Sequence, residues 1–386
     1  MKKQLTRIAS WMLLATMGQA GAFAQNIRID MNQTYPENTI SLQKVADVKY
    51  IPLETADEML FNGIVTNLSA EGIAGFNKKE GDILVFDGTG KAIASFNHTG
   101  QGPNEYNKIY HLDVDWKQKE VYVQDNFRQK IRIYGLDGRH LRTIDLQETM
   151  QEGDLYSFSD THLIYYAQPK SKTVTAYEPV TLLSKKDASK ATLPFTKTDD
   201  NLVKATGGPF GDMKMSAKNV NLLCKKGDEV YVNEVTADVI YRVESNHALT
   251  PVVERTPSYQ DASGQDFFLM LTGANARYYF FKRQQALLEF QGNAATDTKS
   301  TYVAYDRKEK QLLNPTFTNE DYPSQDIPMS KLLQCAGSAN RCYLQFEAFK
   351  LKEALAEGKL KGTLKSIAEK LDEEDNPVLM VVEFKK

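Results

Sequence analysis

The sequence is poor in the residues that build metal sites and disulfide frameworks. It has 3 cysteines and 5 histidines among 386 residues. No two cysteines form a C-x-x-C pair, and no H-x-H or H-E-x-x-H pattern occurs. These absences exclude a zinc site encoded by a local motif, and we expect neither a metal ion nor a cofactor.

An excess of basic charge is also missing. The chain has 47 Lys+Arg against 50 Asp+Glu, which gives a net charge of −3. Nucleic acids and anionic membranes attract proteins through basic surfaces, so this balance predicts no nucleic-acid partner. After the first residues, no apolar run is long enough to span a bilayer. We therefore expect a monomer without a membrane span.

The N-terminus has the order of a secretory signal peptide. Lys2, Lys3 and Arg7 precede an apolar stretch over 8–17, and small residues then end in Ala22-Phe23-Ala24. A signal peptidase requires small side chains of this kind, so residues 1–24 are predicted to be removed. The alternative is a membrane anchor, but the apolar stretch is short for one, and no cysteine follows for lipidation. Removal lowers Lys+Arg from 47 to 44 against 50 acids, a net charge near −6. The pattern predicts a periplasmic or secreted protein.

An internal repeat is the most informative pattern in the chain. The segments 82–91 and 130–139 each combine an alternating strand, a polar Gly-containing turn and a basic residue, and a second strand follows each. The Asp-Gly pairs predict tight hairpins. Phe86 and Tyr134 are 48 residues apart, within the roughly 40–50 residues of a four-stranded propeller blade.

Four further segments echo the repeat, and they bring the number of copies to six: 180–187, 238–246, 302–309 and 378–384. A sandwich or a barrel also contains many short strands, but the repeat length favours a propeller. The sequence therefore predicts an all-β, six-bladed β-propeller with four-stranded blades over residues 25–386. Residues 150–220 depart most from the repeat, which leaves the bounds of blade three open.

The two ends of the predicted domain complement each other. The segment 45–55 reads as a strand that precedes the first full repeat, and 378–384 is a strand without a complete blade of its own. We expect these strands to share the sixth blade, because closure removes exposed sheet edges. Between them, about 347–374 has apolar residues at helical spacing. It predicts a helical insertion that packs on the ring or, alternatively, binds a partner.

Three short motifs resemble the six-bladed β-propeller proteins of Bacteroidetes, an uncharacterised, NHL-like group. They are Ile51-Pro-Leu-Glu-Thr55, Gly100-Gln-Gly-Pro-Asn-Glu-Tyr106 and the ending Asp372-Glu-Glu-Asp-Asn-Pro-Val-Leu-Met380. The resemblance spans essentially the whole chain after residue 24. It implies the propeller fold and an exported location, and it supplies no catalytic residues.

The segment 100–106 is the first candidate for a site. Gly100 and Gly102 would let backbone amides approach an anion, but a phosphate loop opens a helix, and a strand follows here. The alternative is a structural connection between blades. In that case Pro103 fixes the turn, Glu105 bonds backbone amides and Tyr106 packs between blades.

Aromatic and basic side chains supply a second set of candidates: Trp116, Phe127, Arg128, Arg277 and Tyr278. Rings stack on the apolar faces of sugars and peptides while polar groups fix orientation, so these residues are candidates for ligand binding at the mouth of the central channel. Packing between blades is the alternative for each of them.

Cysteines provide one more open question. Cys335 and Cys342 flank a six-residue loop between two apolar runs. An exported protein permits a disulfide there, and two independent thiols are the alternative. Cys224 lies in an apolar run and is predicted to be buried.

No catalytic motif stands out, and a G-x-S-x-G elbow is absent. We therefore favour a binding or scaffold module of the cell envelope for a small glycan or peptide, or for an envelope protein. The alternative is an enzyme, a lyase or glycan hydrolase, with its site at the channel mouth.

Overall fold

The computed structural model describes residues 26–56, 59–125, 129–146, 150–169, 176–198, 202–208, 211–216, 223–259, 261, 267–291, 294–295 and 299–386. The predicted signal peptide, 1–24, lies outside these residues. None of the helices in the described part of the chain has the length and apolar character needed to span a membrane.

The chain forms a six-bladed β-propeller, as predicted. An N-terminal arm comes first and comprises β1 (Ile27–Asp30), β2 (Glu37–Ser41), α1 (Leu42–Val45) and β3 (Ala46–Pro52). Blade one follows with β4 (Ile64–Leu68), β5 (Gly72–Phe76), β6 (Ile83–Asp87) and β7 (Ala92–Phe96). Blade two has β8 (His111–Asp115), β9 (Glu120–Asp125), β10 (Lys130–Gly135) and β11 (His140–Asp145).

The next two blades are separated by additional strands. Blade three contains β12 (Met150–Ser157), β13 (His162–Pro169), β15 (Val180–Ser184) and β16 (Lys190–Thr192). Outside it lie β14 (Ala176–Tyr177), β17 (Lys197–Thr198), β18 (Leu202–Gly208) and β19 (Gly211–Ser216). Blade four contains β20 (Leu223–Lys226), β21 (Glu229–Val232), β22 (Val239–Val243) and β23 (Leu249–Thr256).

The last two blades complete the ring. Blade five contains β24 (Phe267–Ala274), β25 (Tyr278–Gln285), β28 (Ser300–Asp306) and β29 (Gln311–Thr318), interrupted by the hairpin β26 (Leu287–Gln291) and β27 (Ala294–Ala295). Then come β30 (Asp326–Pro328) and a 3-10 helix (Met329–Lys331). Blade six has β31 (Arg341–Phe346) and β32 (Val378–Phe384), with α2 (Ala348–Ala356) and α3 (Gly362–Ala368) between them.

The predicted repeat is confirmed strand by strand. Its six copies fall on β6, β10, β15, β22, β28 and β32, and each is the third strand of its blade from the axis. Tight hairpins follow the first two copies, and Gly90 and Gly138 each occupy the last position of a β-turn with φ of +90° and +81°. A side chain at either position would strain the backbone.

The shared sixth blade is also confirmed. Strand β3 pairs antiparallel with β32, so that Lys49 lies opposite Val381 and Tyr50 lies opposite Met380. Strand β31 pairs with the other edge of β32, and Leu333 bridges to Tyr343 at the innermost position. Strand β3 of the N-terminal arm is therefore the outermost strand of the last blade. The ring closes through hydrogen bonds between this strand and the C-terminal strand β32.

The N-terminal arm does more than close the ring. Strand β1 pairs parallel with β23 of blade four, and β2 pairs parallel with β29 of blade five. The arm thus covers the outer edges of two blades before it enters the third. The outer strands β23 and β29 are thereby paired, and the exposed edges of these two sheets are the short strands β1 and β2.

The helical insertion packs against the ring. Leu351 and Leu364 are fully buried in one cluster with Phe317 of blade five and Met380 of blade six. The interpretation of the helices as a packing element is therefore supported, since their apolar face is covered by the chain itself.

Core packing at the closure predicts a large stability effect. Met380 is fully buried between Tyr50 and Leu344, and its sulfur accepts a hydrogen bond from Asn319 Nδ2 at 3.3 Å. We expect Met380→Ala to lower the free energy of unfolding by about 2–5 kcal/mol through the lost contacts and the cavity. Lys49→Ala, on the same sheet but exposed, should leave it nearly unchanged. Urea denaturation measures both, and equal effects would show that the closure does not limit stability.

Candidate functional site

A buried carboxylate joins four blades at the axis. Asp113 of β8 is fully buried, and it accepts hydrogen bonds from Asn67 Nδ2 of blade one at 2.9 Å and from the Ser157 backbone N–H of blade three at 2.6 Å. Its other neighbour is the ammonium of Lys225 in blade four, at 3.4 Å. These partners satisfy the charge, as burial of a carboxylate requires.

A second ion pair lies beside the first. The Lys185 ammonium donates to Asp115 Oδ2 at 2.6 Å, to Ser157 Oγ at 2.9 Å and to the Ser159 carbonyl at 2.7 Å. Burial opposes ionisation of Asp115, yet the hydrogen bond from Lys185 holds the pKa of that carboxyl below its ordinary value. Asp113 and Asp115 therefore serve as paired structural carboxylates rather than as a free acid and base.

One cavity opens where the inner strands end. This exit cavity measures about 580 Å³, and it is lined mainly by the first hairpins of the blades. Its lining carries four acids, Glu71, Asp115, Asp160 and Asp228, and two lysines, Lys117 and Lys225. Lys117 pairs with Asp160.

A larger cavity opens at the opposite end, where most inner strands begin. This entry cleft measures about 630 Å³, and its lining comes from blades one, two, three, four and six. The lining residues are Ile64, Thr66, Phe76, Lys78, Lys108, Ile109, Tyr110, His111, Leu112, Asp154, Tyr156, Lys225, Lys226, Gln334, Cys335 and Ala336. Its volume lies in the range of small-ligand sites.

The two cavities differ in charge. The entry cleft has the four lysines Lys78, Lys108, Lys225 and Lys226 against one carboxylate, Asp154. Lys225 lines both cavities and lies between them, with its ammonium 2.8 Å from the Ser157 carbonyl. The positive end of the axis is therefore the entry cleft.

His111 lies beside an acid and a phenol in the cleft. Its Nδ1 lies 3.8 Å from Asp154 Oδ1, and its ring meets Tyr156 edge-on at 4.8 Å. Burial, with a smaller contribution from Asp154, raises the pKa of Tyr156 well above its ordinary value. Burial and Asp154 also raise the pKa of Tyr110. Both phenols are therefore hydrogen-bond donors at neutral pH rather than bases.

The segment 100–106 is a connection between blades. Tyr106 is fully buried, and its hydroxyl donates to the Gly81 carbonyl at 2.8 Å. Glu105 Oε2 accepts from the Gly102 N–H at 2.7 Å. The Asn104 carbonyl accepts from the Tyr134 hydroxyl of blade two at 2.7 Å. The loop thus fastens blade one to blade two, and Gly100 leaves the space that the Glu105 carboxylate fills.

The three aromatic and basic candidates that the structure describes are not brought together. Trp116 lines the exit cavity, where its Nε1–H donates to Asn67 Oδ1 at 2.5 Å and its ring covers Gly72. Arg277 pairs with Asp306 at 2.7 Å, and Tyr278 is fully buried in the packing between blades five and six. A ligand in either cavity does not reach Tyr278. Phe127 and Arg128 lie outside the described residues.

Cys335 and Cys342 are free thiols and do not form a disulfide. Leu333 pairs with Tyr343, so Cys335 and Cys342 occupy positions of opposite parity on two adjacent strands. Cys342 packs towards blade five and Cys335 towards blade one, on opposite faces of the sheet. Burial raises the pKa of Cys342 to about 12 and that of Cys224 to about 11, so both thiols are inert.

Within the described residues, no group of three or more His, Cys, Asp or Glu side chains is arranged to hold a metal ion. The residues that form the entry cleft were largely missed by sequence reasoning. Lys225 and Lys226 follow an apolar run before a Gly-Asp turn, and His111 opens an inner strand. To predict that these residues lie close together, one would need to know which strand of each blade is innermost.

Comparisons with known proteins agree with this architecture. A model of the family described as "Domain of unknown function (DUF4934)" matches residues 26–383. No curated protein matches the chain. A Bacteroides fragilis protein described as exported has 15% sequence identity and a TM-score of 0.60, over 93% of this chain and 99% of that one. A DUF4221 family member from Bacteroides vulgatus has 9% identity and a TM-score of 0.49, over 89% and 98%. At 15% identity, the similarity to the Bacteroides fragilis protein shows a shared fold and nothing more.

The buried carboxylate predicts a further stability effect. In Asp113→Asn the side chain keeps its shape but loses the charge that balances Lys225, and its amide hydrogens face donors. We expect a loss of about 3–5 kcal/mol in the free energy of unfolding, the cost of breaking a buried pair. Asp160→Asn removes an exposed carboxylate that also pairs with a lysine, and it should change little. Chemical denaturation compares the two, and an Asp113→Asn protein of unchanged stability would contradict the role assigned to Asp113.

Proposed function

We propose that this chain, which belongs to the family described as "Domain of unknown function (DUF4934)", is a binding module that holds a small glycan or peptide in its entry cleft. The observation that carries the proposal is the convergence of side chains from five blades on one concave site at the axis. Such a site combines an apolar lining with a few polar groups, as ligand sites do.

The chemistry of the cleft favours binding over turnover. Asp154 faces His111 and Tyr156 rather than a second free carboxylate, and the pKa of Tyr156 is raised by burial. Asp113 and Asp115, which lie on the inner strand β8, are both paired with lysines. The pair of carboxylates that glycoside hydrolysis requires is therefore missing among the described residues of the cleft.

The proposed location is the periplasm or the exterior of the cell. Two observations support it: the signal-peptide pattern over 1–24, and a protein of the same fold that is described as exported. In that setting the protein acts as a binding or scaffold module of the cell envelope.

Two exposed aromatic residues, one in the cleft and one outside it, provide the test. Tyr110 lies on the cleft and is 52% exposed, whereas Phe349 of α2 is 45% exposed and lies away from it. The purified protein is screened against oligosaccharide and peptide libraries by calorimetry, and each binder is then measured with Tyr110→Ala and Phe349→Ala. We expect Tyr110→Ala to weaken binding about tenfold or more, because exposed aromatics at site centres dominate affinity, and Phe349→Ala to have no effect.

The same ligands also separate binding from catalysis. Incubation with the protein, followed by mass spectrometry, should return each binder unchanged. If the protein forms a product and the His111→Ala variant does not, the protein is an enzyme and the proposed binding module is wrong. Binders insensitive to Tyr110→Ala would place the site elsewhere.

A further inference from the structure

The charge of the entry cleft is unlike that of the chain as a whole. The protein carries a net charge of −3, yet the cleft lining has four lysines and one aspartate. Within the described part of the chain, the ammonium groups of Lys78, Lys108 and Lys226 pair with no carboxylate. Lysines that line one cavity in excess over carboxylates repel one another, and an anion would relieve that repulsion.

The side-chain amide of Gln334 and the hydroxyl of Thr66, which line the cleft, are already used within the protein. Gln334 donates its amide to the Ala274 carbonyl and accepts from the Ala274 N–H, both at 2.7 Å. Thr66 Oγ1 donates to the Ala74 carbonyl at 3.4 Å. Lys78, Lys108 and Lys226 remain for a ligand, besides the polar groups of His111, Tyr110 and Asp154. An ammonium donates hydrogen bonds but accepts none. A neutral sugar gains less from this excess of ammonium groups than an anion does, so the lining favours an anionic ligand.

Exposed apolar side chains line the same end of the axis. Ile64 and Tyr110 line the cleft and are 39% and 52% exposed. Leu333, 49% exposed, lines an adjoining cavity of about 310 Å³ that shares Lys226 and Gln334 with the cleft. Large exposed hydrophobic residues gathered at one place mark interaction surfaces, and aliphatic side chains suit a partner with apolar groups of its own.

Two chain insertions rise on the same face. The hairpin β18–β19 lies in the connection between blades three and four, as Lys108 does between blades one and two. The hairpin β26–β27 lies between the second and third strands of blade five, as Lys78 does in blade one. These hairpins pair with each other through β18 and β26. The topology therefore adds an extra sheet to the face that carries the cleft.

We propose that the entry cleft binds an acidic peptide segment, whose carboxylates meet Lys78, Lys108 and Lys226 and whose apolar side chains cover Ile64, Tyr110 and Leu333. This inference rests on the proposed function and names its ligand class. Acidic oligosaccharides offer the charge without aliphatic groups, and neutral peptides offer the reverse.

The first test compares matched peptides. Fluorescently labelled, acetylated tetrapeptides with two glutamates and two leucines in every order are measured by anisotropy against the same set with glutamine in place of glutamate. We expect at least one acidic peptide to bind about tenfold or more tighter than its glutamine counterpart, with the difference shrinking as salt rises.

The second test compares two variants that each lose three lysines, so that both have the same net charge and only one of them is altered in the cleft. Lys78→Gln, Lys108→Gln and Lys226→Gln are combined in one variant, and Lys44→Gln, Lys361→Gln and Lys370→Gln in another. The control lysines are exposed and lie outside the cleft lining. We expect the cleft variant to lose the acidic preference and the control to keep it. Circular dichroism checks that both variants are folded.

The outcomes separate this inference from the proposed function. If glutamine and glutamate peptides bind equally and Tyr110→Ala weakens both, the binding site stands and the acidic preference is wrong. If oligogalacturonate binds more tightly than every peptide, or if both lysine variants lose affinity equally, the inference is also overturned. If no peptide binds, the acidic-peptide inference fails. The glycan screen then decides the proposed function separately.

Discussion

The arrangement of the inner strands around the axis depends on the hydrogen bonds and the ion pair that the Asp113 carboxylate makes. This carboxylate accepts from Asn67, from the Ser157 backbone and from Lys225, so a single side chain of blade two contacts blades one, three and four. In a propeller each blade packs only on its neighbours, and contacts across the axis are otherwise few. A fully buried charge is expensive to leave unpaired, so the three partners are fixed in place, and with them the inner strands that frame both cavities.

The ends of the chain provide a second constraint, at the perimeter. The N-terminal arm contributes β1 to the edge of blade four, β2 to the edge of blade five and β3 to blade six, where it meets β32. Ring closure therefore couples residues more than 300 positions apart in sequence. Such pairing is costly in chain entropy, and the seven paired residues of β3 and β32, together with the burial of β32, compensate for it.

The repeat made the fold predictable, and its limits follow from what repeats encode. The apolar strands around Phe86 and Tyr134, each followed by a turn with glycine, reveal a blade, because strand and turn preferences are local properties of the sequence. Both strands are buried on both faces, so the predicted alternation of buried and exposed residues is not observed. The parallel addition of β1 and β2 leaves no such trace, since edge pairing uses backbone groups. Sequence reasoning placed the 100–106 motif between blades as one of two alternatives. It could not place Lys225 and Lys226, because their surroundings come from blades one, two, three and six. It also chose Tyr278, whose aromatic character serves packing.

Lys225 explains why the two ends of the axis differ. Its ammonium is engaged by Asp113 and the Ser157 carbonyl, and both cavities border its side chain. On the exit side the lining contains four acids against two lysines, so that end is anionic. The indole of Trp116 is already hydrogen-bonded to Asn67 there. On the entry side Lys78, Lys108 and Lys226 form no ion pair with a carboxylate of the described residues, and Tyr110 is exposed. An anionic ligand that approaches along the axis is therefore repelled at one mouth and attracted at the other, and this asymmetry favours the entry cleft as the binding site.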